Sequence, residues 1–313
     1  MSLILVTGAS GLLGLNFSLQ FAAQHEIIGV ANHHPEKGGL HRLAGLPFKL
    51  RQIDLAQPQA ASRLIAEVRP DVVLHCAALA NIDQAESNPE LAERVNAQLP
   101  GEMAAAARAV GAVMLHISTD AVFDGVHGDY AEDDRPNPLN VYAATKLRGE
   151  QAVLAANPAA IVARVNFYGW SVSGQRSLAE LFYNQLSAGK TMFGFTDVFF
   201  CPLQVELLGE VLLRMAQKGL RGVFHTVSSE TLSKYEFGCR VARLFGLDAS
   251  LIQPVSWKDG GLKAVRSPNL NLRTARLAAA LGQPLPGQAA GLARFHLEWE
   301  QGLRDFMQSQ SPV

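Results

Sequence analysis

The sequence predicts an α/β fold in which a doubly wound parallel sheet is joined to a smaller mixed lobe. Three observations lead to this prediction: short and almost continuously apolar runs, helical stretches between them, and the loss of this alternation after about residue 170. Apolar strands that alternate with helices are typical of a parallel sheet that is covered on both faces. Right-handed crossover connections then place helices on either side of the sheet.

The first half of the chain contains the regular alternation. Apolar and β-branched runs predict strands at Leu3–Thr7, Glu26–Ala31, Phe48–Ile53, Asp71–Cys76, Ala112–Ile117 and Ile161–Val165. Helical stretches between them predict helices at Leu12–Ala23, Ala60–Val68, Pro89–Val110 and Val141–Ala156. This order of elements is the basis for the doubly wound sheet.

The second half is less regular. After Gly169 we expect a helix at Leu178–Ala188, a strand at Val223–Val227 and a helix at Lys234–Leu244. We therefore predict a first domain at residues 1–168 and a mainly separate lobe at residues 169–313. The chain is expected to return to the main sheet at about residues 220–230.

Composition excludes several classes of protein. Of the 313 residues, 48% are hydrophobic and 18% are charged, which is ordinary for a globular chain. A net charge of −1 gives no reason to expect nucleic acid or an anionic membrane as a partner. Three scattered cysteines fit a reducing compartment, and no apolar run reaches the roughly 18–20 residues of a membrane span. We therefore expect a cytoplasmic protein.

The first predicted strand ends in a G-x-x-G-x-x-G run, Thr7–Gly14, that opens the first predicted helix. Glycines in this context permit a tight turn, close approach of a pyrophosphate to the backbone, and close packing of helix on sheet. Free N–H groups at the helix start and the helix dipole attract the anion. The run predicts a dinucleotide-binding Rossmann domain whose cofactor contacts are Gly8, Ser10, Gly11, Leu12 and Leu13.

The end of the second strand is the place where such a domain meets the adenosine ribose. It reads Val30–His34 and contains no acidic residue, whereas an NAD-selective site has a carboxylate there. Without that carboxylate a 2′-phosphate is not repelled, so the sequence favours NADP(H) over NAD(H). Asn32 and His33 are the predicted contacts. His34 or Arg42 could also meet the phosphate, and a solvated loop explains all three basic side chains at least as well.

Further cofactor contacts are predicted after the third and fourth strands. Asp54 can accept a hydrogen bond from the adenine amino group, and Leu55 follows it. Ala77 and Ala78 are small enough for a cofactor to lie against their backbone. The nine histidines have no spacing of the HExxH kind, so no metal site is predicted.

Tyr142 and Lys146 form a Y-x-x-x-K pair, and residues four apart share one face of a helix. The fifth strand ends in Ser118–Asp120, which brings hydroxyl groups to the carboxyl edge of the sheet, where ligands bind. A hydroxyl there can donate to a substrate carbonyl while hydride arrives at its carbon. The glycine run, the strand-end hydroxyl and the Tyr–Lys pair therefore predict an oxidoreductase.

Tyrosine in water ionises at a pH of about 10, which is too high for efficient acid–base catalysis near neutrality. A neighbouring cation favours the phenolate, so we expect Lys146 to lower the pKa of Tyr142. Lysine can also hydrogen-bond a nicotinamide ribose. Tyr142 and Lys146 are therefore expected to contact the cofactor as well.

These motifs resemble the dTDP-4-dehydrorhamnose reductase family of extended short-chain dehydrogenases. The most specific part is S-T-D-x-V-F-D-G followed by P-x-N-x-Y-x-x-x-K, at Ser118–Gly125 and Pro138–Lys146. The run Thr7–Gly14 also fits, whereas Arg164–Gly169 and Arg266–Asn269 fit less strictly. The resemblance is strong to about residue 170 and weak beyond it.

The resemblance implies reduction of a nucleotide-linked 4-keto-6-deoxy sugar with a nicotinamide cofactor, usually NADPH. Thr119 would then polarise the keto group, Tyr142 would supply the proton, and Lys146 would orient Tyr142 and the ribose. Asn96 would support the site beside the cofactor. Asp120 would lie beside the substrate.

The lobe at residues 169–313 is accordingly expected to be mainly substrate-binding. Two further residues are assigned to the substrate. They are Asn166 and Arg266, and a guanidinium at Arg266 suits bidentate contact with a diphosphate, although an exposed loop arginine is an equally good explanation. Ala121 departs from the family pattern, which usually has tyrosine there. This departure leaves the sugar open but not the reductase chemistry. A homodimer is also left open.

Three alternatives remain. A sugar-nucleotide dehydratase typically has Asp-Glu after the strand-end threonine, whereas Asp120 is followed here by Ala121. An epimerase typically has S-S-x-x-V-Y-G at the strand end, which this chain does not match. The same family also resembles the regulatory β subunit of methionine adenosyltransferase, an NADP-binding partner protein. The complete set of Thr119, Tyr142 and Lys146 favours the reductase.

Overall fold

The computed structural model describes residues 1–32, 45–259 and 267–309. Its strands are β1 (Leu3–Thr7), β2 (Glu26–Ala31), β3 (Lys49–Gln52), β4 (Val72–His75), β5 (Val113–Thr119), β6 (Ile161–Val165), β7 (Phe167–Tyr168), β8 (Met192–Phe195), β9 (Phe199–Phe200), β10 (Leu203–Gln204), β11 (Gly222–Thr226), β12 (Leu232–Ser233), β13 (Ile252–Val255) and β14 (Asn269–Leu270).

The helices lie between and after these strands. They are α1 (Leu12–Phe21), α2 (Ala60–Val68), α3 (Ile82–Ser87), α4 (Pro89–Glu93), α5 (Leu99–Val110), α6 (Val141–Ala156), α7 (Leu178–Ser187), α8 (Val205–Gln217), α9 (Lys234–Leu244), α10 (Ala275–Leu281), α11 (Gln288–Glu300) and α12 (Leu303–Ser309). A π-helical turn at Arg94–Gln98 joins α4 to α5, and short 3₁₀ turns lie at Asp120–Val122 and Ala249–Leu251. None of the described helices is long and apolar enough to cross a membrane.

Seven strands form one parallel sheet in the order β11-β6-β5-β4-β1-β2-β3. The strand order reverses between β1 and β4, and the carboxyl ends of the strands at such a switch point form a crevice for ligands. The predicted doubly wound α/β fold is therefore confirmed. The loops after β1, β4, β5 and β6 all reach this edge, and they carry the predicted site residues Gly8, Ala77, Asp120 and Asn166.

The two faces of the sheet carry separate apolar cores. One face packs against α1, α8 and α10, through side chains such as Phe17, Leu208 and Leu277. The other packs against α2, α5 and α6, through side chains such as Leu64, Met103 and Val153. Burial on both faces explains why the central strands are apolar at almost every position rather than at alternate ones.

The predicted helix at Pro89–Val110 is interrupted. Arg94–Gln98 forms a π-helical turn, which adds a residue to the helical repeat and re-aims the side chains that follow. The short helix α3 was not predicted. The fifth strand extends two residues beyond its predicted end, so that Ser118 and Thr119 belong to the strand itself.

The second half contributes to both parts of the molecule. Helix α8, which the sequence did not predict, covers α1 and the main sheet, and β11 pairs with β6 at the sheet edge. The remaining elements pack around an aromatic core. It includes the buried side chains Tyr168, Trp170, Phe182, Phe237 and Phe295. The division at residue 168 stays a prediction, but α8 and β11 place later residues on the main sheet.

Helix α6 lies unusually close to the π-helical turn. A Cβ atom at Gly149 would overlap the carbonyl oxygen of Asn96. The glycine therefore sets the distance between α6 and the segment below it, and with it the depth at which the other residues of α6 enter the molecule.

We predict that Gly149→Ala lowers the free energy of unfolding by about 1–3 kcal/mol, because the added methyl group overpacks this contact. Gly101→Ala, at the neighbouring contact between α5 and α6, is the control, since the nearest atom to its methyl group would be the Cβ of Ala152 at 3.1 Å. The control should stay within about 1 kcal/mol of wild type, helped by the better helix propensity of alanine. Urea unfolding followed by circular dichroism measures both, and equal losses would contradict this account.

Candidate active site

The glycine run makes the turn that the sequence predicts. Gly8 has φ +67°, a left-handed conformation that L side chains rarely adopt, and a Cβ atom there would lie 2.8 Å from the amide nitrogen of Ala77. A Cβ atom at Gly14 would overlap the carbonyl oxygen of Gly8. The backbones of β1, α1 and the loop after β4 therefore meet closely at the sheet edge.

The start of α1 suits an anion. Its N-cap is Gly11, no side chain in the described part of the chain caps it, and its first turn has no acidic residue. The amide N–H groups of Leu12 and Leu13 therefore point out of the helix start without a side-chain acceptor. Together with the helix dipole they can hold a phosphate beside the exposed Ser10. A dinucleotide pyrophosphate fits this chemistry.

The predicted adenosine contacts lie at the same edge. Asn32 is exposed and follows β2, whereas His33 lies outside the described residues. The Asp54 carboxylate accepts hydrogen bonds from the Ala56 amide and the Gln57 side chain, both at 3.0 Å, and so closes the turn after β3. Leu55 is buried beneath it. Parallel pairing of β1, β2 and β3 puts Asn32 and Asp54 next to the glycine run.

Asn96 acts on the loop after β4. Its side chain is fully buried, accepts from the Leu79 amide at 2.8 Å, and donates to the Leu79 carbonyl at 3.1 Å and to Thr145 Oγ1 at 3.1 Å. It thereby ties the loop that carries Ala77 and Ala78 to helix α6. All of its described hydrogen bonds are to the protein, so we assign Asn96 to positioning.

The strand-end residues form a compact polar group. Thr119 Oγ1 donates to Asp120 Oδ1 at 3.1 Å and accepts from the Ala121 amide at 3.2 Å. Asn166 Nδ2 donates to the other carboxylate oxygen of Asp120 at 2.6 Å. Burial raises the pKa of Asp120, and the hydrogen bonds from Asn166 and Thr119 oppose that rise. Three predicted residues are thus brought together at the ends of β5 and β6.

Tyr142 meets this group from helix α6. The helix begins at Val141, and its N-cap residue Asn140 accepts from the Ala143 amide at 2.9 Å, which fixes the direction of the first turn. The phenol hydrogen-bonds to Thr119, so the predicted tyrosine and strand-end hydroxyl are in contact.

The expected pKa shift of Tyr142 is wrong in direction. Burial, with a smaller effect of the Asp120 charge, raises the pKa of Tyr142 to about 12, and the hydrogen bond with Thr119 offsets only part of this. Desolvation, which the spacing of Tyr142 and Lys146 does not reveal, disfavours the phenolate. Tyr142 is therefore a neutral phenol at neutral pH and can donate a proton.

Lys146 lies one turn further along α6, and only 2% of its surface is exposed. Its Nζ donates to the carbonyl oxygen of Ile117 at 2.6 Å and makes a longer contact of 3.4 Å with His116 Nε2. Burial lowers the pKa of Lys146 to about 8, although the Glu150 carboxylate opposes this. The ammonium is thus anchored to β5 beneath Tyr142.

A buried ion pair that the sequence analysis missed supports this arrangement. Glu150, four residues after Lys146, accepts from Ser118 Oγ at 2.5 Å and from Arg164 Nη2 at 2.8 Å. Arg164 and Glu150 are both at least 96% buried at their side chains. The spacing 142, 146 and 150 on one helix face was a usable signal, but a carboxylate there is also typical of a solvated face.

The segment that begins at Ser267 packs against the loop after β5. Ser267 Oγ donates to the Phe123 carbonyl at 2.7 Å, and a Cβ at Gly125 would lie 2.8 Å from the Asn269 amide. Arg266 lies outside the described residues, directly before this contact. Among the described residues, no group of three or more His, Cys, Asp or Glu side chains is arranged to hold a metal ion.

Comparisons with known proteins agree with this geometry. The family model described as the RmlD substrate binding domain matches residues 1–300. The chain is 32% identical to the methionine adenosyltransferase 2 subunit beta of Bos taurus over 294 residues, which cover 90% of this chain and 84% of the relative. It is also 32% identical to a probable low-salt glycan biosynthesis reductase of Haloferax volcanii, over 90% of this chain and 93% of that protein.

Solved structures of dTDP-4-dehydrorhamnose reductases are also similar to this chain. A hypothetical dTDP-4-dehydrorhamnose reductase from Sulfolobus tokodaii is 28% identical, with a TM-score of 0.77, and the match covers 90% of this chain and 96% of that one. A dTDP-4-dehydrorhamnose reductase from Clostridium acetobutylicum is 26% identical, with a TM-score of 0.79 and coverage of 96% and 99%.

The fold and the site together define an NAD(P)-dependent oxidoreductase of the extended short-chain dehydrogenase/reductase superfamily. Within that class the chain belongs to the RmlD family, which confirms the resemblance to dTDP-4-dehydrorhamnose reductases. The roles of the individual site residues stay predictions.

Lys146 is predicted to bind the cofactor ribose, and its lowered pKa would then make cofactor affinity depend on pH. The amine is charged below about pH 8 and neutral above it, and only the ammonium makes charge-assisted hydrogen bonds to a ribose. We predict that the Kd for NADPH rises about tenfold as the pH increases through 8, a loss of about 1.4 kcal/mol in a charged hydrogen bond. Fluorescence titration from pH 6 to 10 measures this. Lys146→Met should bind weakly at every pH, and a matching rise in that variant would refute the assignment.

Proposed function

We propose that this protein reduces the 4-keto group of a nucleotide-linked deoxysugar, with NADPH as the electron donor. The observation that carries the proposal is the contact between the Thr119 and Tyr142 hydroxyls at the carboxyl end of β5, with Lys146 beneath them. The glycine run lies at the same edge of the sheet, beside the loop after β4. Structures similar to this chain include dTDP-4-dehydrorhamnose reductases, which supports a sugar nucleotide as the substrate class.

A bound nicotinamide cofactor would supply hydride to the carbonyl carbon. The two hydroxyls would bind the carbonyl oxygen and stabilise the negative charge that develops on it. Tyr142 would then transfer its phenolic proton to that oxygen, which completes the alcohol. The carbonyl thus gains one hydride and one proton, and the tyrosine recovers its proton from water.

The protonation state of Tyr142 suits this direction of reaction. A pKa raised to about 12 keeps the phenol protonated over the whole physiological range, so the acid is present before the carbonyl is reduced. As Tyr142 gives up its proton, the nearby Lys146 ammonium would stabilise the phenolate. The lysine would hold the nicotinamide ribose at the same time.

Elimination is less well supported than reduction. A dehydratase needs an acid and a base to expel water, and in this chain Asp120 is followed by Ala121. Asp120 is the one carboxyl at the strand end among the described residues, where it is bonded to Thr119 and Asn166. We assign Asp120 and Asn166 to the rim of the sugar site. Ala121 leaves room there for a sugar different from that of the family pattern.

A second candidate function follows from the relatives. Several vertebrate methionine adenosyltransferase 2 subunit beta chains are 32–33% identical over 90% of this chain. An NADP-binding partner subunit without turnover would share the glycine run and the fold. The complete set of Thr119, Tyr142 and Lys146 favours the enzyme, and turnover of a sugar nucleotide decides between the two.

We predict that wild-type protein oxidises NADPH with dTDP-4-keto-6-deoxyglucose, and that Tyr142→Phe lowers kcat at least 100-fold, since it removes the proton donor. The Kd for NADPH should change less than threefold. Tyr183→Phe is the matched control, because it removes a phenol in the second half of the chain whose described hydrogen bond is the one that it accepts from Trp299 Nε1 at 3.0 Å.

If the turnover of Tyr142→Phe stayed within a few-fold of wild type, the catalytic scheme would be wrong. Tight NADPH binding without turnover of any 4-keto sugar nucleotide would favour the partner subunit.

Cofactor choice is tested separately. Because the end of β2 carries Asn32 and no acid, we predict at least tenfold higher kcat/KM with NADPH than with NADH. Asn32→Asp should reduce or reverse this ratio, since a carboxylate repels the 2′-phosphate and binds a 2′-hydroxyl. Asn32→Ala should keep the wild-type preference. A ratio unchanged by Asn32→Asp would place the selecting residue elsewhere.

A further inference from the structure

A row of three polar residues crosses the face of the sheet beneath α6. Thr7 on β1 is in register with His75 on β4, and His75 is in register with His116 on β5. All three are fully buried, although the next residue of the row, Val162 on β6, and most of this face are apolar. Side chains in register on adjacent strands lie side by side on one face, so the row runs from the glycine loop towards Lys146.

The row is connected by short contacts. Thr7 Oγ1 lies 2.7 Å from His75 Nδ1 and accepts from the Ala77 amide at 3.2 Å. The rings of His75 and His116 stack with centroids 5.4 Å apart and an angle of 26° between their planes. His116 Nε2 lies 3.4 Å from Lys146 Nζ. A continuous path therefore joins the predicted cofactor loop to the lysine.

Both histidines are neutral. Burial, and then the charge of Lys146, lowers the pKa of His75 to about 3 and the pKa of His116 well below its usual value. A neutral imidazole can accept from an ammonium through its unprotonated nitrogen. The contact with Lys146 therefore assigns the proton of His116 to Nδ1.

This arrangement is costly for the fold. His116 Nδ1 and His75 Nε2 are buried, and neither has a hydrogen-bond partner in the described part of the chain. An unpaired buried polar group destabilises a folded protein, so an apolar pair would be expected at these positions on stability grounds alone. Departures of this kind from optimal packing are expected at functional sites.

The Lys146 ammonium needs hydrogen-bond acceptors on the side that faces β5. Its ammonium has three N–H groups, of which one is bonded to the Ile117 carbonyl and one faces His116. Among the described residues no partner is assigned to the third. Two anchors on β5 define the direction of that third N–H, whereas a single anchor would leave the ammonium free to rotate about one hydrogen bond.

We propose that His116 is a positioning residue that aims the Lys146 ammonium at the cofactor ribose and Tyr142, with His75 and Thr7 holding His116 in place. The proposal rests on the proposed function. It assigns to a histidine of the sheet a part in the reductase site that neither the Tyr–Lys spacing nor the family motif includes.

Other groups that act on the Lys146 charge must be distinguished from His116. His75 and Cys76 face it from β4 and the residue after it, and Glu150 and Tyr142 lie on its own helix. Glu150 raises the pKa of Lys146, and Cys76 has the same effect to a smaller extent. Substitution at His116 leaves each of these groups in place.

The test compares His116→Leu, His116→Asn and His116→Gln, because Gln alone can bring an amide oxygen to about the position of Nε2. Each variant is titrated with NADPH from pH 6 to 10, its melting temperature is measured, and kcat is recorded. Leu and Asn should raise the Kd about tenfold and move the pH at which affinity falls to below 8, since the ammonium loses an acceptor. Gln should recover the affinity to within threefold. His225→Leu, which removes another buried histidine, bonded to the Arg273 carbonyl at 3.1 Å, is the matched control.

The outcomes separate positioning from stability. A merely structural role predicts that all four variants change the melting temperature while the pH of the affinity transition stays at its wild-type value, and that result would overturn the proposal. Gln behaving like Leu would overturn it too. If the wild-type protein binds NADPH but turns over no sugar nucleotide, the proposed function fails, and the pH dependence of Kd still decides whether His116 aims Lys146.

Discussion

The site depends on a buried ammonium. Moving a charged amine out of water is costly unless it finds polar partners, and Lys146 is 98% buried. Its partners come from two directions: the Ile117 carbonyl and His116 on β5, and the carboxylate of Glu150 on its own helix. The partners on β5 are within reach because α6 packs closely on the molecule, and a Cβ atom at Gly149 of this helix would overlap the carbonyl oxygen of Asn96.

Buried charges other than that of Lys146 also need polar partners. Glu150 is itself a buried charge, and it is balanced by Arg164 and by the hydroxyl of Ser118. Arg164 in turn lies over the ring of Phe123 at 5.1 Å, in the loop after β5 that meets Ser267. A buried pair of this kind contributes little net stability but is costly to break, so it holds β5, β6 and α6 in one arrangement. The geometry of Tyr142 and Lys146 is thus tied to the loop after β5.

Desolvation also shifts the pKa values of Tyr142 and Lys146 in opposite directions. The same burial that lowers the pKa of the lysine to about 8 raises the pKa of the tyrosine to about 12. At neutral pH the site therefore holds a proton donor and a cation side by side. That combination suits the transfer of a proton to a newly formed alkoxide, because the cation stabilises the phenolate that remains.

The local features follow from the sequence alone. The glycine run, the strands and helices of the first half, and the Tyr142–Lys146 spacing depend on residues that are close together in the chain. The helices predicted at Ala60–Val68, Val141–Ala156 and Lys234–Leu244 agree with the structure to the residue. The pKa of Tyr142, the Glu150–Arg164 pair and the row from Thr7 to His116 emerge only in the folded chain, because they depend on burial and on cross-strand register. The lobe after Gly169 was poorly predicted for a related reason: strands of two residues, such as β9 and β14, have no periodicity and are held by their partners alone.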